Sequence, residues 1–260
     1  LLSYTGLVRM TTERIRDDKT SGKQTDYKFK DALKAVFTNR PLIGMMIASI
    51  GSLIMINGVN QLAAIVFAEY YGMPNAFAVN SIFMIAITAI LFIFVPKLVG
   101  VFGKQKLIVG TAVFSLVAST LLTMFTISNV YVFVVIYNIA TIGSVVFIMI
   151  VWALVTDCLD YTELKTGQRY DGTLYSIYSF SRKVGMGIGA AIGSYSLGWV
   201  GFVSGAKSQS PEVATGILKM YTGMPILTFV LILIGVGLIF NLNTEKTNAM
   251  YKTLEEKREV

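Results

Sequence analysis

The sequence predicts an all-α membrane protein with six transmembrane helices. Hydrophobic residues make up 54% of the 260 residues and charged ones only 14%, where an ordinary soluble domain carries about a quarter charged. The apolar residues fall in six blocks, each reaching the roughly 20 residues that a helix needs to cross a bilayer. Lys and Arg are divided very unevenly between the two sides that six crossings define.

Residues 1–40 are expected to hold the end of a preceding span, at 1–8, and a polar loop. Within that loop Phe29, Ala32, Leu33, Val36 and Phe37 recur at helical spacing. This predicts a short amphipathic helix over 26–39, capped by Asp26, lying along the membrane surface or packed on the protein itself. The six apolar blocks lie at about 41–68, 75–96, 106–127, 130–156, 173–203 and 221–242, and together they form the transmembrane bundle, 41–242. They are too long and continuous for barrel strands, which run about 10 residues with alternating polarity. Residues 243–260 read as a polar, fraying cytoplasmic tail. The chain opens on Leu1 rather than Met, so it is expected to be a piece, or one half, of something larger.

Topology follows from the basic residues. Nine lie in 1–40, three in the second connection (Lys97, Lys104, Lys106), two in the fourth (Lys165, Arg169) and four in the tail. Those 18 share one side; Lys207 and Lys219 are the two on the other. The positive-inside rule then puts both chain ends in the cytoplasm, with the protein in the cell membrane. The net charge of +7 is thus a membrane-surface signal, and no nucleic-acid partner is expected. The chain has no His and a single Cys158. That excludes a His-based zinc site, a Ser–His triad, a His proton relay and an intrachain disulfide, and no cofactor is expected.

The last two basic residues, Arg182 and Lys183, sit inside the fifth block, about ten residues in. Ionisable groups at that depth are costly and mark pathways. No carboxylate in the other blocks offers itself as a partner, so the pair faces a water-filled cavity or belongs beside an absent part of the protein. The same block carries Gly185, Gly187, Gly189 and Gly193. No strand precedes them, so a dinucleotide loop is excluded. Gly185, Gly189 and Gly193 share a face and predict close helix packing. In the first block Ser49, Ser52, Asn57, Asn60 and Gln61 could line a cavity or bond neighbouring helices; both readings stay open.

The most specific stretch is VTDCLDYTELKTGQRYDGTLYS, 155–176. Asp157, Asp160 and Glu163 recur every third residue at the end of the fourth block, with Lys165 and Arg169 beyond. Three carboxylates beside bases at a membrane boundary read as a network that locks two bodies together and releases them. The segment closely resembles the glycoside–pentoside–hexuronide:cation symporters, the melibiose-permease-like branch of the major facilitator superfamily. Their D-x-x-D-Y-x-E-x-K-T-G-x-R pattern stands here as Asp157, Asp160, Tyr161, Glu163, Lys165, Thr166, Gly167 and Arg169. The T-E-R at Thr12 to Arg14, the N-R-P-L at 39–42 and the Tyr70-Tyr71-Gly72 ending the first block look like the family too.

The resemblance implies the C-terminal six-helix bundle of a major-facilitator fold, and a secondary transporter rather than an enzyme. A sugar, glycoside or hexuronide would move with Na⁺ or H⁺ by alternating access. The cation site and most sugar contacts would lie in a missing N-terminal half. Lys183 takes the position that bridges sugar and cation sites; Tyr178 and Ser179, one turn earlier, would face the sugar. Arg182 replaces an apolar residue of melibiose permease, and Ile148, with Trp152 a turn away, stands for an aromatic that packs on the sugar ring. An extra cation there suits an acidic sugar. Asp157, Asp160, Glu163 and Arg169 would pair with the other half as a cytoplasmic gate. The alternatives are a relative that moves lipid or another solute, and an intramembrane enzyme, for which the spans hold no catalytic constellation.

Overall fold

The computed structural model describes residues 29–168, 170–206 and 208–258, and these are helical with no strand. Helix α1 spans Phe29–Thr38; Val36 is buried and Phe37 exposed, so one face packs on the bundle. The proposed cap Asp26, the family-like Thr12–Arg14 and the span tip at 1–8 lie outside the described residues, as does Arg169. Helix α2, Arg40–Ile65, starts at Asn39, whose Oδ1 accepts from Leu42 N at 2.8 Å. Pro41 stands in the first turn, where a missing N–H costs nothing. A wide π-type turn, Val66–Tyr70, prolongs α2.

Helix α3 spans Ala76–Phe102 and α4 spans Lys104–Met124, with Gly103 alone between them at φ +81°. This corrects the expected end of the second block near 96. Pro96 removes one ladder bond without stopping the helix, as membrane helices tolerate, and Lys97, Lys104 and Lys106 are all helical. The fourth block is two helices, α5 (Val130–Ala140) and α6 (Ile142–Thr166), broken at Thr141. Helix α7 spans Asp171–Trp199.

Helix α8 spans Pro211–Ile232 and continues in π-type turns over Leu233–Ile239. It starts well before the expected 221, because Ser210 caps it (Oγ accepts from Val213 N at 3.3 Å) and Pro211 opens it. Lys219 is therefore inside a helix, not in a connection. The tail does not fray either: Thr244–Arg258 is a helix, α9. Asn243 Oδ1 accepts from Lys246 N at 2.9 Å, and Met250 and Leu254, four apart, bury one face against the bundle.

Five stretches are long and apolar enough to cross a membrane: Arg40–Tyr70, Ala76–Phe102, Lys104–Met124, Val130–Thr166 and Pro211–Ile239. The remaining expected span, the fifth block, is α7; it has the length, 29 residues, but is more polar. α2 is the centre of the bundle and packs most extensively on α7 and α8. Its contact with α7 has almost no side chains between. A Cβ on Gly189 would lie 2.7 Å from Ile54 Cα, one on Gly185 2.9 Å from Ile50 Cα, and one on Gly193 2.8 Å from Gly58 O. Small residues every fourth position allow this approach in lipid, where close packing holds helices together.

The core has two parts. One, at the end where α9 docks, gathers Leu42, Met45, Phe147, Tyr178, Phe229 and Phe240; the other, at the far end, gathers Phe67, Phe133, Tyr137 and Tyr221. The backbone freed by the π-type turns of α8 is satisfied from outside: Gln105 Nε2 donates to Val236 O (3.0 Å) and Phe240 O (2.8 Å), and Arg40 donates to Leu238 O (3.1 Å). Helix α3 leaves its apolar side chains largely uncovered, with Ile82, Phe92 and Ile93 all more than 60% exposed.

Candidate functional site

Between α2, α6 and α7 lies a small cavity of about 70 Å³. α2 contributes Ser49 and Ser52, α6 contributes Phe147, Ile148 and Trp152, and α7 contributes Tyr178 and Arg182. The close approach of α2 to α7 sets its floor: with Gly185 against Ile50, the residue two turns earlier on α7, Tyr178, reaches Ser49, and their hydroxyls share a 2.7 Å hydrogen bond. Tyr178 is fully buried by that contact.

Arg182 follows Tyr178 by four residues, so the two share a face of α7. The guanidinium carbon sits 4.9 Å from the centre of the Trp152 ring. Trp152 is held in turn by Tyr175, stacked at 6.0 Å, and by the edge of Tyr178 at 5.9 Å. A cation over an indole face is stabilised by about 0.5–2 kcal/mol. That fixes where Arg182 points without neutralising it. Among the described residues neither Arg182 nor Lys183 makes a salt bridge. The site thus presents a held, unneutralised guanidinium beside an aromatic surface and two serine hydroxyls. Chemically it can bind: a planar donor set for an anionic group, a ring face for an apolar patch, hydroxyls for polyol oxygens.

A second charged place lies at the α9 end. Lys104, the first residue of α4, donates to both oxygens of Asp157, at 2.7 and 2.6 Å. Asp157 is buried, with 2% of its side chain exposed, and Lys104 keeps 26%. Tyr251 of α9 also donates to Asp157 Oδ1. Burial, then the adjoining carboxylate, push the Tyr251 hydroxyl above its ordinary range, so it keeps its proton and acts as a donor. One turn on, Asn39 Nδ2 donates to Cys158 O (2.8 Å) and Thr162 Oγ1 (2.6 Å), tying α2 to α6. Among the described residues no three His, Cys, Asp or Glu side chains gather to hold a metal ion.

The structure brings together Trp152, Tyr178 and Arg182 of the residues expected at the substrate. Ser179 is half-buried and Lys183 exposed; they stand on a neighbouring face of α7 and do not line the cavity. Asp157 departs from its expected pairing across to another half, since its partners Lys104 and Tyr251 are in this chain. Asp160 and Glu163 are half-buried on the following turns of α6. Gly185, Gly189 and Gly193 lie against α2, as described above. Of the polar residues in α2, Ser49 and Ser52 reach the cavity, whereas Asn57 bonds back to Leu53 O at 2.9 Å. Sequence reasoning missed Lys104 and Tyr251 as partners of Asp157, and Tyr175 as the support of Trp152.

A sequence profile of the MFS/sugar transport protein family matches residues 1–244. The uncharacterized symporter YnaJ of Bacillus subtilis is 31% identical over 256 residues, 97% of this chain and 53% of the relative. The uncharacterized symporter YjmB of the same organism is 30% identical over 227 residues, 86% of this chain and 49% of the relative. The glucuronide carrier protein homolog of Escherichia coli is 34% identical over 142 residues, 53% of this chain and 31% of the relative. The chain spans about half the length of the curated relatives it matches over most of its own.

Proposed function

This chain belongs to the MFS/sugar transport protein family, a family of membrane transporters rather than enzymes, and from that membership we propose that it works as one six-helix half of a cation-coupled sugar symporter. In this reading α7 also spans the membrane, as the fifth of six spans, both chain ends face the cytoplasm, and the second half completes the cavity. The uncovered faces of α3 and α7 then meet that half or lipid, and its residues supply the site for Na⁺ or H⁺. Substrate binds near mid-membrane between the halves, which rock around it.

Arg182 carries the proposal. A guanidinium set on Trp152 at 4.9 Å, with no salt bridge among the described residues, is a costly arrangement in a membrane unless something anionic meets it. A hexuronide offers that carboxylate, with hydroxyls for Ser49 and Ser52 and a ring face for Trp152. Lys183 and Ser179, on the neighbouring face, come into play as the halves move. Asp160, Glu163 and Arg169 form the cytoplasmic gate between the halves.

The test is uptake by the full-length protein in vesicles. A labelled hexuronide and a neutral glycoside are compared, with Na⁺ or proton gradients imposed in turn. Gradient-driven hexuronide uptake that falls in Arg182→Gln more than neutral uptake does is the expected result. Hexuronide uptake indifferent to Arg182→Gln overturns the assignment of Arg182, and absence of gradient-driven uptake of any sugar overturns the symport reading.

A further inference from the structure

Helix α9 is the most polar helix described, yet it reaches a buried charge. Met250 and Leu254 are its two buried apolar side chains, while Glu245, Lys246 and Lys252 are exposed. Such a thin apolar seam is poor compensation for ordering fifteen residues. What sets the register is Tyr251. Its hydroxyl donates to Asp157 Oδ1, Lys104 Nζ lies 3.4 Å from that same hydroxyl, and the ammonium sits 5.8 Å from the ring centre. Three groups from α4, α6 and α9 thus close one triangle.

The root of α9 is gripped from the same turn of α4. Gln105, next to Lys104, holds Val236 O and Phe240 O just before α9 begins. Under the helix a cavity of about 190 Å³ remains, lined by Val99, Leu154, Asp157, Thr247 and Tyr251 among others. The helix is therefore tied by polar bonds at its root and at Tyr251, with only Thr247 and Met250 of α9 buried between them. Elements held by few buried apolar contacts belong to the low-stability, movable end of a structure.

We propose that α9 is a clasp: Tyr251 holds the Asp157–Lys104 pair closed, and release of α9 lets this end of the bundle open. Asp157 and Cys158 are neighbours on α6, and Asn39 ties the Cys158 carbonyl to α2. Loosening α6 at Asp157 therefore loosens its tie to α2 next to the thiol, which is fully buried while this end is closed. The opening step rests on the transporter reading; the clasp itself does not.

The experiment uses the full-length protein in lipid nanodiscs, with cysteines outside this chain changed to serine. Two quantities are read: amide hydrogen exchange over 244–258, and labelling of Cys158 by N-ethylmaleimide. In Tyr251→Phe the exchange is expected to quicken about tenfold or more, since a hydrogen bond to a charged group is lost, and Cys158 to label at least about fivefold faster. Lys252→Ala, an exposed neighbour, leaves both rates as they were. Truncation after Asn243 reproduces the faster labelling without relying on the fold of a point variant. Unchanged exchange in Tyr251→Phe overturns the clasp. Faster exchange with Cys158 still shielded, in that variant or in the truncation, overturns the coupling to opening. Neither readout uses a solute, so failure here and failure of the sugar assignment are separate results.

Discussion

At the α9 end, Lys104 and Asp157 meet at 2.6 Å, and Tyr251 adds a second donor to the carboxylate. At mid-bundle, Arg182 lies over the indole face of Trp152, Lys183 stands exposed on the neighbouring face, and among the described residues neither makes a salt bridge. The first cluster is closed: its charges sum to zero, and each oxygen of Asp157 has a donor. The second is open: an unneutralised cation is positioned by aromatic rings alone. A membrane helix bears the desolvation of a closed pair as a structural cost, and retains an open cation where a ligand completes it. The state of pairing thus separates what holds this bundle together from what we propose meets the substrate.

The sharpest way to break that contrast is Asp157→Ala. It strands the Lys104 ammonium and removes the acceptor of Tyr251, and is expected to cost about 3 kcal/mol of stability. A melting experiment on the purified full-length protein checks it, and a melt within experimental scatter of the wild type would show the pair to be ornamental. Arg182→Gln is expected to do the opposite. Stability stays within about 0.5 kcal/mol, while hexuronide uptake falls about 30-fold, close to 2 kcal/mol in kcat/KM. A variant that melts early and transports normally reverses the comparison.

Trp152→Leu sharpens it further. The guanidinium keeps its charge but loses its platform, so about 1 kcal/mol of positioning goes, read as a roughly fivefold rise in KM with little change in melting. Tyr178→Phe is the smallest effect. It removes the hydroxyl shared with Ser49 and is expected to cost about 1 kcal/mol of stability, with uptake following only the folded fraction. A larger loss of uptake than of fold would place the Tyr178 hydroxyl on the substrate.

Much of this contrast is legible in the residues, and what is not has physical causes. Apolar blocks announce themselves because lipid tolerates nothing else over that length. Their ends do not: Pro96 looks like a stop but sits within α3, and the Ser210–Pro211 start of α8 is masked by the polar residues after it. α9 was hidden because its helical signal is only Met250 and Leu254 in a charged stretch. The open site was readable through Arg182, since mid-block charge is conspicuous and Tyr178 lies one turn away. The closed site was not, because Lys104 is 53 residues from Asp157 and Tyr251 is 94 away. No local spacing connects them; only the packing of α4, α6 and α9 does.

The glycine contact between α7 and α2 has one more consequence. Gly185 and Gly189 meet α2 chiefly through its backbone, and Gly193 meets the Gly58 carbonyl beside the Gln61 side chain, so few rotamers lie between the two helices to be exchanged. Their separation is set mainly by van der Waals contact between backbones and little by a choice of side chains. Substitutions around Arg182 can therefore retune what the cavity accepts while its floor keeps its width. A library that varies Ser52, Ile148 and Trp152 explores specificity at little risk to architecture, whereas one that touches the three glycines explores architecture alone.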